Sequence, residues 1–151
     1  MTYTRINWQD GENGGTPLSA ANLNKMDEQI EKNTNNILSI IESGSNENGS
    51  WIKFSDGTMI TYQSIYYSNL SCITWGSLYT TGALTITNFP ISFVEPPTVN
   101  YSWSVDSANC WVSTHDGQKK TKDHAGGIQL VRPTFGTISG TLEMIAIGKW
   151  K

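Results

Sequence analysis

The sequence predicts a mainly β protein with one N-terminal helix, arranged as a trimeric coiled-coil stalk followed by an antiparallel β-sandwich head. Two observations lead to this fold class. The segment NLNKMDEQIEKNTNNILSII, residues 22–41, carries a narrow apolar stripe with helical spacing. From Trp51 onward, short alternating apolar runs are separated by Gly, Asn, Asp and Pro, which is typical of strands and turns.

Composition divides the chain of 151 residues into four parts. Residues 1–18 are expected to form an N-terminal arm, and residues 19–43 a coiled-coil helix. The stretch GSNENGS, residues 44–50, is interpreted as a linker. Residues 51–151 are expected to form the β-sandwich head.

The ends of the predicted helix have recognisable signals. Ser19 is a good N-cap, because its hydroxyl can accept a hydrogen bond from a free backbone N–H of the first turn. Thr16 is an alternative cap, with Pro17 at the first helical position. Gly44 is expected to end the helix as a left-handed C-cap residue.

The apolar stripe has the spacing of a coiled-coil seam. Its flanking positions are polar, whereas a helix that packs on a globular core usually has a wider apolar face. Isoleucine at both core positions favours trimers or tetramers, and Asn33 is expected to fix the register. We therefore expect an oligomer of three or four copies of the chain, although packing of the helix on its own strands stays open. The expected trimer-interface residues are Leu23, Met26, Ile30, Asn33, Ile37 and Ile40.

The strand region begins with a predicted hairpin in WIKFSDGTMITYQ. Asp56-Gly57 suits a two-residue turn, which would pair Phe54 with Met59 and Ile52 with Thr61. In the run at 98–105, every second residue is apolar, and the prolines just before it mark a turn or the start of a strand. The other predicted strands are NLSCITWG, ALTITN, NCWVS, GIQLVR and TLEMIAIG.

Few residue patterns indicate catalysis or metal binding. The long segment STHDGQKKTKDHAGG, residues 113–127, contains both histidines, His115 and His124. Metal binding by these histidines across a three-fold axis is conceivable, but a solvated polar loop is the favoured interpretation. No metal, cofactor or enzymatic activity is predicted, because no phosphate-binding loop, nucleophile motif or zinc-helix motif is present.

Aromatic residues point to a carbohydrate ligand. Exposed Trp and Tyr can stack on sugar rings, while neighbouring polar groups bind hydroxyls. The predicted ligand-binding residues are Trp111, His115 and Asp116 beside the long loop, with Trp103 on the preceding strand. The alternative is that most tryptophans belong to the core or to subunit contacts.

Charge and hydropathy exclude other partners. The net charge is -3, so no nucleic-acid partner is predicted. No apolar run is long enough for membrane insertion, and the N-terminus lacks a secretory signal, so synthesis in the cytoplasm is expected. Cys72 and Cys110 are interpreted as buried thiols, although a single disulfide between them stays open.

Two stretches carry a family resemblance. INWQDGENGGTPLSAANLNKMDEQI resembles the N-terminal segment of tail and baseplate proteins from phages of Gram-positive bacteria. NGSWIKFSDGTMITY, NFPISFVEPPTV and GTLEMIAIGKWK are similar to segments of the lectin-like domains at the ends of phage tail fibres. Met144 stands where that family often has an aromatic residue, and we interpret it as a core substitution.

The resemblance implies a homotrimeric receptor-binding or fibre-tip protein of a phage or prophage tail. It implies a head of the H-type-lectin kind, location in the virion, and attachment to other tail or baseplate proteins through residues 1–18. The expected ligand of the head is a host cell-surface carbohydrate. Two alternatives are a purely structural baseplate or tail-fibre component and an enzyme that trims surface polysaccharide.

Overall fold

The computed structural model describes residues 19–36, 39–107 and 109–151. The chain falls into two compact units divided between residues 38 and 39, and each is described by itself. The described part of the first unit is the helix α1, Ala20–Asn36. The second unit contains β1 Ile40–Asn46, β2 Gly49–Phe54, β3 Thr58–Ser71, β4 Ile73–Trp75, β5 Leu78–Thr80, β6 Thr98–Ser107, β7 Trp111–Thr114, β8 Ile128–Arg132 and β9 Thr137–Lys149.

The helix α1 begins at the predicted cap. The backbone N–H of Asn22 donates to Ser19 Oγ at 3.3 Å, and the N–H of Leu23 donates to the Ser19 carbonyl at 3.0 Å. The first contact satisfies a donor that lacks an i→i−4 partner, and the second is the first i→i−4 bond of the helix, as expected for an N-cap. Ser19 is therefore confirmed as the cap, while the arm at residues 1–18 lies outside the described residues.

The end of the helix differs from the prediction. The helix α1 ends at Asn36, and Ile40 belongs to strand β1, so Ile40 cannot be a position of a helical seam. Ile37 lies outside the described residues. The predicted linker is instead a hairpin, in which Asn46 lies opposite Gly49. The backbone pairing of β1 with β2, together with the strand preference of β-branched Ile40 and Ile41, outweighs the helical spacing.

Gly44 has a different role from the predicted helix cap. It lies in β1 opposite Trp51, and a Cβ at Gly44 would overlap the indole ring of Trp51. The same hairpin holds Glu42, which accepts hydrogen bonds from Trp51 Nε1 at 2.9 Å and from Lys53 Nζ at 3.0 Å. Gly44 is therefore needed because an aromatic ring lies directly over its backbone.

The strands form two antiparallel sheets. The five-stranded sheet has the order β1-β2-β3-β9-β6, and the four-stranded sheet has the order β4-β5-β8-β7. The longest pairing joins β3 to β9, from Thr58 opposite Lys149 to Ser71 opposite Thr137. The prediction of a mainly β chain with one helix and antiparallel sheets is confirmed for the described residues.

One hydrophobic core includes residues of both sheets. Met59 and Leu142 of the five-stranded sheet and Ile128 of the four-stranded sheet are all fully buried. Met144 is 1% exposed, which agrees with its interpretation as a core residue. The predicted strand ALTITN is not a strand, but its residues Leu84 and Ile86 are buried in the same core.

The first predicted hairpin is wrong in register. Lys53, not Phe54, lies opposite Met59, and Ile52 lies opposite Ile60. Gly57 takes a φ of +86° and donates to the Phe54 carbonyl at 3.1 Å, so the turn is longer than two residues. Because side chains alternate along a strand, this shift by one residue puts Lys53, not Phe54, on the same face as Met59.

The strand β6 agrees better with its prediction. Val99, Tyr101 and Trp103 are partly buried and pack against the core, as the alternation indicated. Val105, expected on the same face, is 44% exposed. None of the described helical residues forms a segment long and apolar enough to cross a membrane.

Candidate functional site

The long segment between β7 and β8 is an organised loop. His115 N–H donates to the Gly127 carbonyl at 2.9 Å, and Gly127 N–H donates to the Gln118 carbonyl at 2.9 Å. These bonds close the base of the loop where Thr114 lies opposite Ile128. The expected solvated polar loop therefore has its own backbone hydrogen bonds, which fix the positions of its side chains.

A second turn organises the tip of the loop. Thr121 Oγ1 accepts hydrogen bonds from the backbone N–H groups of Asp123 and His124 at 3.2 and 3.1 Å. Hydrogen bonds from Ser92 and then from Lys122 hold the pKa of the Asp123 carboxyl below its ordinary value. The carboxylate of Asp123 is thus already engaged by neighbours within the protein.

His124 joins the loop to the core segment. Its Nδ1 accepts a hydrogen bond from Gly126 N–H at 2.9 Å, so the ring proton lies on Nε2. Nε2 lies 3.1 Å from the Ile86 carbonyl, to which it donates. With both ring nitrogens engaged, His124 has a structural role in the single chain. The described residues include no cluster of three or more His, Cys, Asp or Glu that could hold a metal ion.

His115 lines a shallow basin of about 310 Å³ on the same loop. Its Nδ1 lies 2.7 Å from the Asp116 backbone oxygen and 3.6 Å from Asp116 Oδ1. The other residues that line the basin are Val99, Tyr101, Thr114, Gln118, Lys120, Ala125, Gly126 and Gly127. This basin, which we call the loop basin, combines one aromatic ring with amide, imidazole and ammonium groups.

The four predicted ligand-binding residues do not converge in the loop basin. His115 lines it, and Asp116 is exposed beside His115. Trp111 is 47% exposed on β7, but it is absent from the lining of the basin. Trp103 packs against the core, with its ring centroid 6.2 Å from that of Tyr67. Of these two tryptophans, only Trp111 exposes much of its side chain to solvent.

The thiols do not provide reactive chemistry. Cys72 is buried and Cys110 is partly buried, and both are free. Burial raises the pKa of each thiol, with smaller opposing effects from Arg132. Because the thiolate is the reactive form, a raised pKa makes nucleophilic catalysis by either cysteine unfavourable.

A second polar and aromatic surface was not predicted from the sequence. Tyr62, Ser64 and Tyr66 all point outward from β3, and we call this surface the tyrosine face. Tyr62 donates to Glu143 Oε1 at 3.1 Å, and Tyr66 donates to Asp106 Oδ2 at 3.0 Å. Alternation in TYQSIYY could have revealed this surface, because strand residues two apart share a face.

The hydroxyl of Tyr66 is held in its neutral form. The hydrogen bond to Asp106, and then the negative charge of that carboxylate, raise the pKa of Tyr66 above its ordinary value. Tyr66 therefore remains a hydrogen-bond donor to Asp106 at neutral pH. This fixed donor orients the phenol ring on the tyrosine face.

Comparisons with known proteins give two structural matches. No family model matches the chain, and no curated protein matches it. An N-truncated R1-type pyocin tail fiber is 15% identical, with 89% of this chain and 98% of that chain covered and a TM-score of 0.44. A P. aeruginosa R1 pyocin fiber comprising C-terminal residues 323–701 is 14% identical, with a TM-score of 0.48. That match covers 97% of this chain but 39% of the fiber chain.

Proposed function

We propose that this chain is a homotrimeric receptor-binding or fibre-tip protein of a phage or prophage tail. Its β head, of the H-type-lectin kind, binds a host cell-surface glycan, and residues 1–18 attach it to other tail or baseplate proteins. The proposal places the protein in the virion and assigns it a binding role rather than a catalytic one. The resemblance of its N-terminal and C-terminal segments to phage tail proteins supports this role.

The main support for the proposed trimer is an exposed apolar stripe on α1. Leu23 is 45% exposed, Met26 40% and Ile30 60%. Large apolar side chains on one stripe of a helix favour association, because burying each one contributes about 1.5–3 kcal/mol. Since these residues follow a coiled-coil spacing, other copies of the same helix are the partner that fits them.

A groove on α1 supports the same partner. It measures about 300 Å³ and is lined by Met26, Gln29, Ile30 and Asn33. In the predicted heptad these residues hold positions d, g, a and d, which together form one hole for an incoming side chain. Gln29 Nε2 donates to Asn33 Oδ1 at 2.9 Å, so the polar position of the seam is already oriented.

The shorter helix changes how such a trimer would be stabilised. A seam that ends before Ile40 offers fewer apolar layers than the predicted helix of residues 19–43. Because most of the stability of a helix in a protein comes from packing of its apolar face, and this seam has few layers, contacts outside α1 must contribute. The proposed trimer therefore depends on the arm or the β heads as well as on Leu23, Met26, Ile30 and Ile37.

Two measurements on the purified protein test the trimer and the glycan binding. Sedimentation equilibrium should give three times the mass of the chain, and the protein should co-sediment with isolated cell walls of a susceptible host. A monomer would exclude the coiled-coil trimer. A trimer that stays in solution with walls from every plausible host would exclude glycan recognition by the head.

The second candidate is a purely structural baseplate or tail-fibre component. The packing of Trp103 against the core and the absence of Trp111 from the loop basin favour it, because the predicted sugar-binding residues do not line one basin. Immunogold labelling of virions distinguishes the candidates. Label at the distal tip supports receptor binding, whereas label enclosed within the baseplate supports the structural role.

A further inference from the structure

A groove lies where β3 extends beyond its neighbour. The strand β2 pairs with β3 only as far as Ser50 opposite Tyr62, whereas β3 continues to Ser71. The resulting groove measures about 490 Å³. The turn at 45–50 forms one part of its lining, and Tyr62, Ser64, Ile65, Tyr66 and Thr87 form the rest. The groove thus opens directly onto the tyrosine face.

The ring of Tyr66 is positioned by a long-range contact. Its hydroxyl donates to Asp106 on β6, although β9 lies between β3 and β6. Neighbouring strands are about 4.8 Å apart, so the phenol must extend across the surface of β9 to reach Asp106. The residue is 60% exposed, which leaves one side of this fixed ring open to solvent.

Tyr62 provides a second fixed ring on the same face. Its hydroxyl donates to Glu143 on β9, and the residue is 40% exposed. Tyr62 and Tyr66 are four residues apart on one strand, which separates their backbones by about 14 Å. Exposed Ser64 lies between them. Two such rings suit an extended ligand rather than a single small molecule.

The turn beside the groove is also fixed. Asn46 Nδ2 donates to the Pro90 carbonyl at 2.8 Å, and Asn46 Oδ1 accepts from Asn48 N–H at 2.9 Å. Gly49 is required at this point, because a Cβ there would overlap the Tyr62 carbonyl oxygen. A groove built from a sheet and a locked turn can bind without much loss of conformational entropy.

We propose that this groove and the tyrosine face bind a glycan through stacking on Tyr62 and Tyr66. The inference rests on the proposed function and names the surface and the sugar class. Glu143 and Asp106 each accept one phenol hydrogen bond and retain further lone pairs for sugar hydroxyls. Aromatic faces with a few placed polar groups are typical of sites for such ligands.

The charge of this surface selects the class of glycan. Glu47 lines the groove, and the carboxylates of Asp106 and Glu143 adjoin the tyrosine face. No Lys, Arg or His is among the described residues that line the groove. Such a surface repels phosphate or carboxylate groups. The ligand is therefore a neutral or amine-bearing oligosaccharide, in contrast to the loop basin with its Lys120.

Titration calorimetry with three probes tests this inference: a neutral glucan oligomer, a glucosamine oligomer and a polyglycerol phosphate. The wild-type protein should bind the glucan, the glucosamine oligomer or both, and bind the polyglycerol phosphate more weakly. Tyr66→Ala should weaken this binding about tenfold, as expected for loss of one stacking contact. Tyr66→Phe keeps the ring and should lose less. Trp75→Ala removes an exposed aromatic from the other sheet and should bind like the wild type.

Three results would overturn the inference: binding of the polyglycerol phosphate alone, wild-type affinity in Tyr66→Ala, or no binding of any probe. Sedimentation of Tyr66→Ala must also give the wild-type mass, since dissociation would identify this face as a subunit contact. Binding to host cell walls distinguishes failure of this site from failure of the proposed function. If Tyr66→Ala and the wild type bind walls equally, the site is wrong and the function stands. If the wild type binds neither walls nor probes, both are wrong.

Discussion

The helix α1 and the β unit bury their apolar residues in different ways. The β unit encloses Met59, Ile128 and Leu142 within one chain, and each is 0% exposed. The helix leaves Leu23, Met26 and Ile30 between 40% and 60% exposed. The β unit thus has a core of its own, whereas the helix has apolar residues without a core. Changes in the two regions should therefore affect different properties, namely fold stability and association.

The largest effect is expected from Ile30→Asn. In the proposed trimer this change buries three polar side chains in one layer, at a cost of about 1–3 kcal/mol for each. Sedimentation should show loss of the trimer, while circular dichroism of the β unit stays unchanged. Glu31→Asn, at an exposed neighbouring position, is the control. A variant Ile30→Asn that remains fully trimeric would contradict the role of α1.

Leu142→Ala should lower the stability of the β unit and leave association unchanged. Leu142 is fully buried on β9, and removing a buried leucine side chain costs about 2–5 kcal/mol of unfolding free energy. Chemical denaturation measures this loss. Ile145→Ala on the same strand is the control, because Ile145 is 44% exposed and should cost less. Equal losses in both variants would mean that β9 does not have the described buried face.

His124→Ala is expected to have a smaller effect. It leaves the N–H of Gly126 and the carbonyl of Ile86 without their partner, which costs about 1–3 kcal/mol. Thermal unfolding should detect this loss. His115→Ala is the matched control, because the contacts of its ring are with adjacent Asp116. If His115→Ala is equally destabilising, His124 has no special role in joining the loop to the core.

The smallest expected effect is the pH dependence due to Glu42. Hydrogen bonds from Lys53 and Trp51 lower the pKa of its carboxyl below the ordinary value of 4.5. A lowered pKa in the folded state gives stability that is present above pH 4.5 and lost as pH falls through the lowered pKa. Melting temperatures measured from pH 6 to pH 3 should therefore fall slightly more for the wild type than for Glu42→Gln. Parallel curves would contradict this contribution.

Some of the fold could be predicted because its signals are local. The Ser19 cap depends on bonds within a single turn. The alternation in β6 depends only on which face of that strand packs against the core. The register of β2 with β3 could not be predicted, because Asp56-Gly57 fits both a two-residue turn and the longer turn observed. The end of α1 and the start of β1 could not be predicted either, because Ile40 suits a helical seam and a strand equally well and its place depends on the pairing of β1 with β2.

The candidate site was less predictable than the fold. The number of aromatic residues in a sequence does not show which of them reach the surface. Trp103 and Trp111 are both predicted ligand-binding residues, yet Trp103 packs beside Tyr67 and Trp111 is 47% exposed. The contact of Tyr66 with Asp106 joins residues 40 positions apart on non-adjacent strands. The order of strands in the sheet is what brings these two residues together.

The central position of β9 has a consequence for the order in which the protein forms. This strand follows all the others in the sequence, but it pairs with β3 on one side and β6 on the other. Thr58 and Lys149, which are 91 positions apart, must meet before the sheet is complete. Helices form within about a microsecond, whereas sheets with distant pairings form far more slowly. On a ribosome, the residues of α1 therefore emerge long before the five-stranded sheet can close, so in the proposed trimer copies of the helix would have time to meet first.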